Sequence, residues 1–160
     1  MSYLVDGNNV MGQRVGWHRD RVRARRELLA ELARFASGGR ARVEVVFDGA
    51  PDENFADGSS YKGVRVYYAE RGSDADTRIK TLVESSRERR TLLVVTSDRA
   101  LGEYVRRCGA QVLRAGEFRR RMEAVAEAKG AAQADADAPP VEESTERWMR
   151  YFGVAPEDDE

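Results

Sequence analysis

The chain has one cysteine and one histidine, and each scarcity removes a class of chemistry. With Cys108 alone, no internal disulfide and no cysteine-based zinc cluster can form. Its place at the end of the helical pattern EYVRRCGAQ suits a small buried apolar residue better than a nucleophile. His18 has no evident serine or cysteine partner for nucleophilic catalysis. Glycine fingerprints are missing too: DGNNVMG after the first strand lacks the dinucleotide-binding spacing, and no phosphate-loop lysine motif occurs. Asp6 could serve an aspartyl-phosphate mechanism, but Ser97-Asp98-Arg99 stands where a lysine would have to follow the central strand. No apolar run approaches membrane-spanning length and no charged leader precedes one, so a soluble protein of the reducing cytoplasm is expected.

Charge is nearly balanced at −1, but unevenly spread. Residues 131–160 carry nine acids against Arg147 and Arg150, a net of −7 that leaves +6 on residues 1–130. A positive body around acidic residues suits a polyanionic substrate, although an arginine-rich solvated surface has the same composition.

The apolar pattern alternates between strand and helix. SYLVD, ARVEVVFD, VRVYYA, TLLVVTS and QVLR are short apolar runs, and TLLVVTS has the continuity of a central strand covered on both faces. Between them Val22, Leu29, Leu32, Ala33 and Ala36 mark a helix from His18 to Ser37, closed by Gly38-Gly39. Ile79, Leu82 and Val83 mark a second, starting at Asp74 or a neighbour. Leu101, Tyr104, Val105 and Cys108 mark a third, and Phe118, Met122 and Val125 a fourth ending near Lys129. Residues 49–63 are expected to be a long surface loop. The pattern predicts an α/β fold with a mostly parallel sheet and helices on both faces. Residues 1–130 form the domain, the Ala/Asp/Pro-rich 131–140 a linker, and 141–160 an acidic tail with a helix carrying Trp148, Met149 and Phe152.

Four aspartates fall where strands run out: Asp6, Asp48, Asp76 and Asp98. Strand ends of an open α/β sheet face one crevice, where ligands bind. Carboxylates crowded there repel one another unless a hard, oxygen-seeking divalent cation lies between them. Any single one is explained as well by a turn or a helix cap, Asp48-Gly49 most of all. Asp76 and Asp98 stand at helix starts, where the dipole favours the ionised form. Asn8 and Asn9 follow Asp6 with amides suited to a metal-bound water or a phosphate oxygen. One or two Mg²⁺ or Mn²⁺ ions would activate water here and need no side-chain nucleophile.

Taken together, YLVDGNNVMG, VVFDG, DADTRIKTL and VVTSDRALGEYVRRCGA resemble the YacP-like branch of the NYN domain family, within the PIN-like nucleases, from about Ser2 to Lys129. The resemblance implies a PIN-like three-layer α/β/α sandwich and Mg²⁺- or Mn²⁺-dependent endoribonuclease activity. By that likeness Asp6, Asp76 and Asp98 bind metal, and Asn9 and Asp48 line the site. Where the family often has a second acid directly after the residue matching Asp76, this chain has Thr77. Asp74 would compensate as a ligand only from the turn before the helix.

Lys62, Lys80 and Arg99 are candidates to grip phosphates of single-stranded RNA, and Tyr61 to stack a base, each against the alternative of a plain surface residue or loop anchor. Arg19, Arg23 and Arg26 would extend the track. A non-catalytic RNA-binding module with an incomplete metal site is the competing reading, motivated by Thr77. A phosphatase of small phosphate esters is a third.

Overall fold

A computed structural model describes residues 1–69 and 73–136, with side chains to residue 130. Five strands of the central sheet are parallel, in the order β4 (Val64–Ala69), β2 (Arg42–Asp48), β1 (Ser2–Asp6), β5 (Leu92–Val95), β6 (Gln111–Leu113). The strands are apolar on successive residues because both faces are covered. Val5, Val45, Val46, Val94 and Val95 are all fully buried. Burying such a side chain contributes about 1.5–3 kcal/mol.

Tyr3 and Val5 point to one face, packing with Leu28, Leu32 and Phe35 of α2 (Arg21–Gly39) and Phe118 of α5 (Ala115–Ala136). Leu4 points to the other, against Ile79 and Val83 of α3 (Ala75–Ser85) and Leu101 and Val105 of α4 (Arg99–Arg107). The result is the expected three-layer α/β/α sandwich. From β1 the chain steps outward to β2 and β4, then returns to build β5 and β6 on the opposite side of β1. The strand order therefore reverses between β1 and β5, at the ends carrying Asp6 and the Thr96-Ser97-Asp98 segment. Open α/β sheets bind ligands at that kind of point.

Several boundaries differ from the pattern. Residues 17–19 form a short 3₁₀ turn, and α2 begins only after Asp20, whose carboxylate accepts the Arg23 N–H at 3.1 Å. Val22 consequently falls on the outer face. Gly38-Gly39 do not end α2; Arg40 does, in the left-handed region at φ 50°. Gly38 is instead a packing glycine, since a Cβ there would lie 2.8 Å from Val125 of α5. The 49–63 stretch is not all loop: β3 (Ser60–Tyr61) pairs antiparallel with β4 through a two-residue Lys62-Gly63 turn. Both turn residues have positive φ, as a tight hairpin of this hand requires.

Met1–Ala126 is one compact unit and Glu127–Glu160 a second. α5 remains helical to Ala136, past Lys129 and into the stretch read as a linker. The remainder of that stretch and the helix expected after it lie outside the described residues. Among the described residues, no helix is long and apolar enough to cross a membrane.

Candidate active site

Asp6 ends β1, is 9% exposed, and leads directly into α1 (Gly7–Met11). The residue between strand and helix must be glycine: a Cβ on Gly7 would meet the Phe47 ring at 2.5 Å. The Asp6 carboxylate accepts the Thr96 hydroxyl at 3.1 Å, and that hydroxyl oxygen accepts the Asp98 N–H, also at 3.1 Å. The Asp6 carboxyl is raised to about 6: burial is the largest cause, the Thr96 hydroxyl and the Asn9 N–H act against it, and the negative charges of Asp48 and Asp76 add to it. Asp6, Asp48 and Asp76 thus share one electrostatic neighbourhood.

Asp48 is held at three points. Its N–H donates to Asn8 Oδ1 at 2.9 Å, its carboxylate accepts the Ala75 N–H at the start of α3 at 2.7 Å, and its carbonyl accepts from Arg25. Arg25 also donates to the Ala50 carbonyl at 3.0 Å, with its guanidinium 5.5 Å from both the Phe47 and Tyr68 ring centres. Gly49 has φ +94°, so Asp48, a candidate site residue, also stands in a turn. Asn9 ties the centre of the sheet together: its Oδ1 accepts the Ser97 N–H at 2.8 Å.

The other carboxylates serve helix starts. Asp74 lies in the turn before α3, as compensation for Thr77 would require. Its Oδ1 nevertheless accepts both the Thr77 N–H and hydroxyl at 2.8 Å, which holds the carboxyl below its usual range. Asp98 caps α4 by accepting the Leu101 N–H at 3.1 Å through one oxygen. Asp76 sits in the first turn of α3, half-buried, with the Lys80 ammonium 3.5 Å away. Lys80 also lies over the Tyr104 ring at 4.9 Å, and the Tyr104 hydroxyl donates to Glu84.

The donor set suits Mg²⁺ or Mn²⁺ in kind, being oxygen-only and anionic. The cost of burying the Asp6 charge beside two like charges is what a cation would offset. Among the described residues, no three acidic, histidine or cysteine side chains yet stand together as a ligand group. Asp48 and Asp76 lie within electrostatic reach of Asp6, Asp98 is connected to it through Thr96, and Asp74 is turned onto its own helix.

The candidate RNA contacts are dispersed. Arg99 is exposed beside Asp98. Lys62 is at the hairpin tip over Tyr61 at 5.4 Å, while Tyr61 packs edge-on against Phe55 at 5.3 Å. Tyr61 is thus an anchor of the 49–63 stretch in addition to any role in stacking. Arg23 pairs with Glu27 and Arg26 with Asp52, so those two do not form an open basic row. Sequence reasoning missed Thr96, Arg25 and the role of Asn8. Thr96 stood in plain view as a polar residue ending the most apolar strand, but partners 40 and 90 residues apart leave no local signature.

Comparison with known proteins agrees with this architecture. Among curated proteins no relative matches. Similar solved structures include Rae1 (YacP) from Bacillus subtilis, at TM-score 0.67 and 24% identity over 94% of this chain and 95% of that one. Its W164L mutant matches at TM-score 0.69 and 25% identity, over 84% of this chain and 82% of that one. The model of the YacP-like NYN domain, a PIN-like nuclease family, matches residues 3–150. A fold of this topology, with carboxylates at its switch point and a match over nearly all its length, places the chain in the YacP-like NYN domain family.

Proposed function

We propose that the protein is a metal-dependent endoribonuclease acting on single-stranded RNA. The observation that carries the proposal is the buried Asp6 carboxylate, within electrostatic reach of Asp48 and Asp76, at the strand-order reversal. Asp6, Asp48 and Asp76 would hold a Mg²⁺ or Mn²⁺ ion, with the second oxygen of Asp98 as a further donor. The ion supplies an activated water and charge neutralisation on the phosphate.

The protein's own residues perform the rest. Thr96 fixes the orientation of Asp6 through one hydrogen bond and joins it to the α4 cap through the next. Asn8 and Arg25 fix the backbone from which the Asp48 carboxylate projects. Asn9 links α1 to the segment that follows β5. Arg99 and Lys80 would grip phosphates on either side of the cleaved bond, Lys80 by exchanging its contact with Asp76 for one with RNA. Lys62 and Tyr61, on the β3–β4 hairpin, would meet a more distant part of the strand.

Asp6→Asn should abolish metal-dependent cleavage of a labelled single-stranded RNA while leaving the fold intact. Cleavage by that variant at the wild-type rate would refute the assignment. The competing reading, a non-catalytic RNA-binding module, is favoured by Asp74 and Thr77 engaging each other and leaving one fewer carboxylate free. It predicts RNA binding with no turnover under any divalent metal.

A further inference from the structure

One surface cavity away from the aspartates, partly open to solvent, has a volume of about 270 Å³ and is lined by Met11, Arg14, Trp17, Arg19, Leu28 and Arg119, among others. It opens beside the far end of α1, the helix that starts at Asp6. Five residues at 1.5 Å each separate the two ends by only about 7 Å. We propose that this cavity receives an unpaired base of the RNA strand, flanking the phosphate held at the aspartates. This rests on the nuclease reading and gives it a source of sequence preference.

Its chemistry suits a base better than a phosphate. Arg14 is neutralised by Glu27 and Glu31 at 3.2 Å each, Arg119 by Glu31 at 2.9 Å, and Arg23 by Glu27 at 3.0 Å. Little net charge is left to draw an anion inward. What remains is an apolar floor of Met11 and Leu28 and the half-buried Trp17 indole on the wall. Flat apolar walls edged by guanidinium groups are how proteins hold splayed-out bases. Arg21 packs over Trp17 at 5.6 Å without itself lining the cavity.

Arg119 supplies the hydrogen-bonding edge. Its side chain is 14% exposed and its Nη2 reaches the Val10 carbonyl of α1 at 3.4 Å, but its Nε is buried with no partner. An orphaned buried donor is unfavourable, because nothing replaces the hydrogen bond it would make to water. A base edge offering an acceptor would relieve that cost if the guanidinium turned towards it. Because Arg119 touches α1, the same movement bears on the helix that carries Asn8 and Asn9.

Trp17 can report on the cavity directly, since the chain's only other tryptophan is Trp148. In full-length Trp148→Phe protein, each of the four ribonucleoside 5′-monophosphates would be titrated while Trp17 emission is followed. Saturable quenching by at least one is expected. It should weaken about tenfold or more in Ala24→Met, which fills the cavity from α2 with a helix-compatible side chain. On RNA, Ala24→Met should raise KM and flatten preference for the base beside the cut, with kcat retained. Absence of quenching by all four nucleotides overturns the proposal, and so does quenching accompanied by unchanged cleavage preference in Ala24→Met. The binding arm needs no cleavage, so failure of the cavity and failure of the nuclease reading are separable.

Discussion

Two sets of aspartates, at strand ends and at helix starts, are treated oppositely by the fold. Asp6 and Asp48, at the ends of β1 and β2, are held by groups from other parts of the chain, and Asp6 is buried against like charges. Asp74 and Asp98, before α3 and α4, turn a carboxylate oxygen back onto their own helix. In the first set, Asp6 carries unfavourable buried charge that a cation would relieve. The second is stabilised without one, by hydrogen bonds that any good cap would make. A strand-end aspartate is therefore a metal-ligand candidate to the degree that its own helix does not satisfy it.

The strongest way to break this contrast is Asp6→Asn. Cleavage should fall to background in a labelled-RNA assay, yet the protein should become more stable at neutral pH. The sign follows from the raised carboxyl: between its ordinary value near 3.8 and about 6, the folded state holds more protons than the unfolded one. Wild-type stability should accordingly fall as pH rises through that window, by an order of 2–3 kcal/mol at most. Denaturant melts of Asp6→Asn without metal should lack that slope. A pH-independent wild-type would remove the charge-storage argument.

Next in size is the response to metal. Mn²⁺ at about a hundred times its dissociation constant should stabilise wild type by about 2.7 kcal/mol in a thermal melt. Asp6→Asn should show little of this. The caps predict smaller effects of the other sign. Asp74→Ala should cost about 1 kcal/mol through loss of the α3 cap, while Asp74→Asn, an equally good cap, should keep both stability and cleavage. Loss of cleavage in Asp74→Asn would move that residue into the first set. Asp98→Asn sharpens the comparison, since it should keep the α4 cap but lose cleavage if the second carboxylate oxygen serves the metal. Smallest is Lys80→Met, expected to raise KM for RNA a few-fold by removing one phosphate contact and to leave kcat in place.

How far the sequence disclosed this is itself explained by the contrast. Periodicity carried the strands and the sandwich because burial on both faces leaves an unbroken apolar run, as in Leu92–Val95. The helix starts at Asp74 and Asp98 were legible because a cap and its partner lie three residues apart. The hold on Asp48 was not, because Asn8 and Arg25 reach it across 40 and 23 residues. Arg26 looked like part of a basic track, but it makes two bonds of 3.1 Å to Asp52 and anchors the loop after β2. Tyr61 looked available to a base, but its ring is engaged with Phe55 in a stretch where no strand pattern was visible. Local rules find groups that satisfy themselves locally, and Asp6 and Asp48 are held instead from far along the chain.

The central claim, that Asp6 with Asp48 and Asp76 forms a divalent-cation site, is tested most directly by calorimetric titration of Mn²⁺ into purified protein at neutral pH. Wild type and Asp74→Asn should bind saturably with similar affinity, while Asp6→Asn and Asp48→Asn should bind far more weakly. Equal binding by Asp6→Asn and wild type, or binding lost only in Asp74→Asn, would contradict the account.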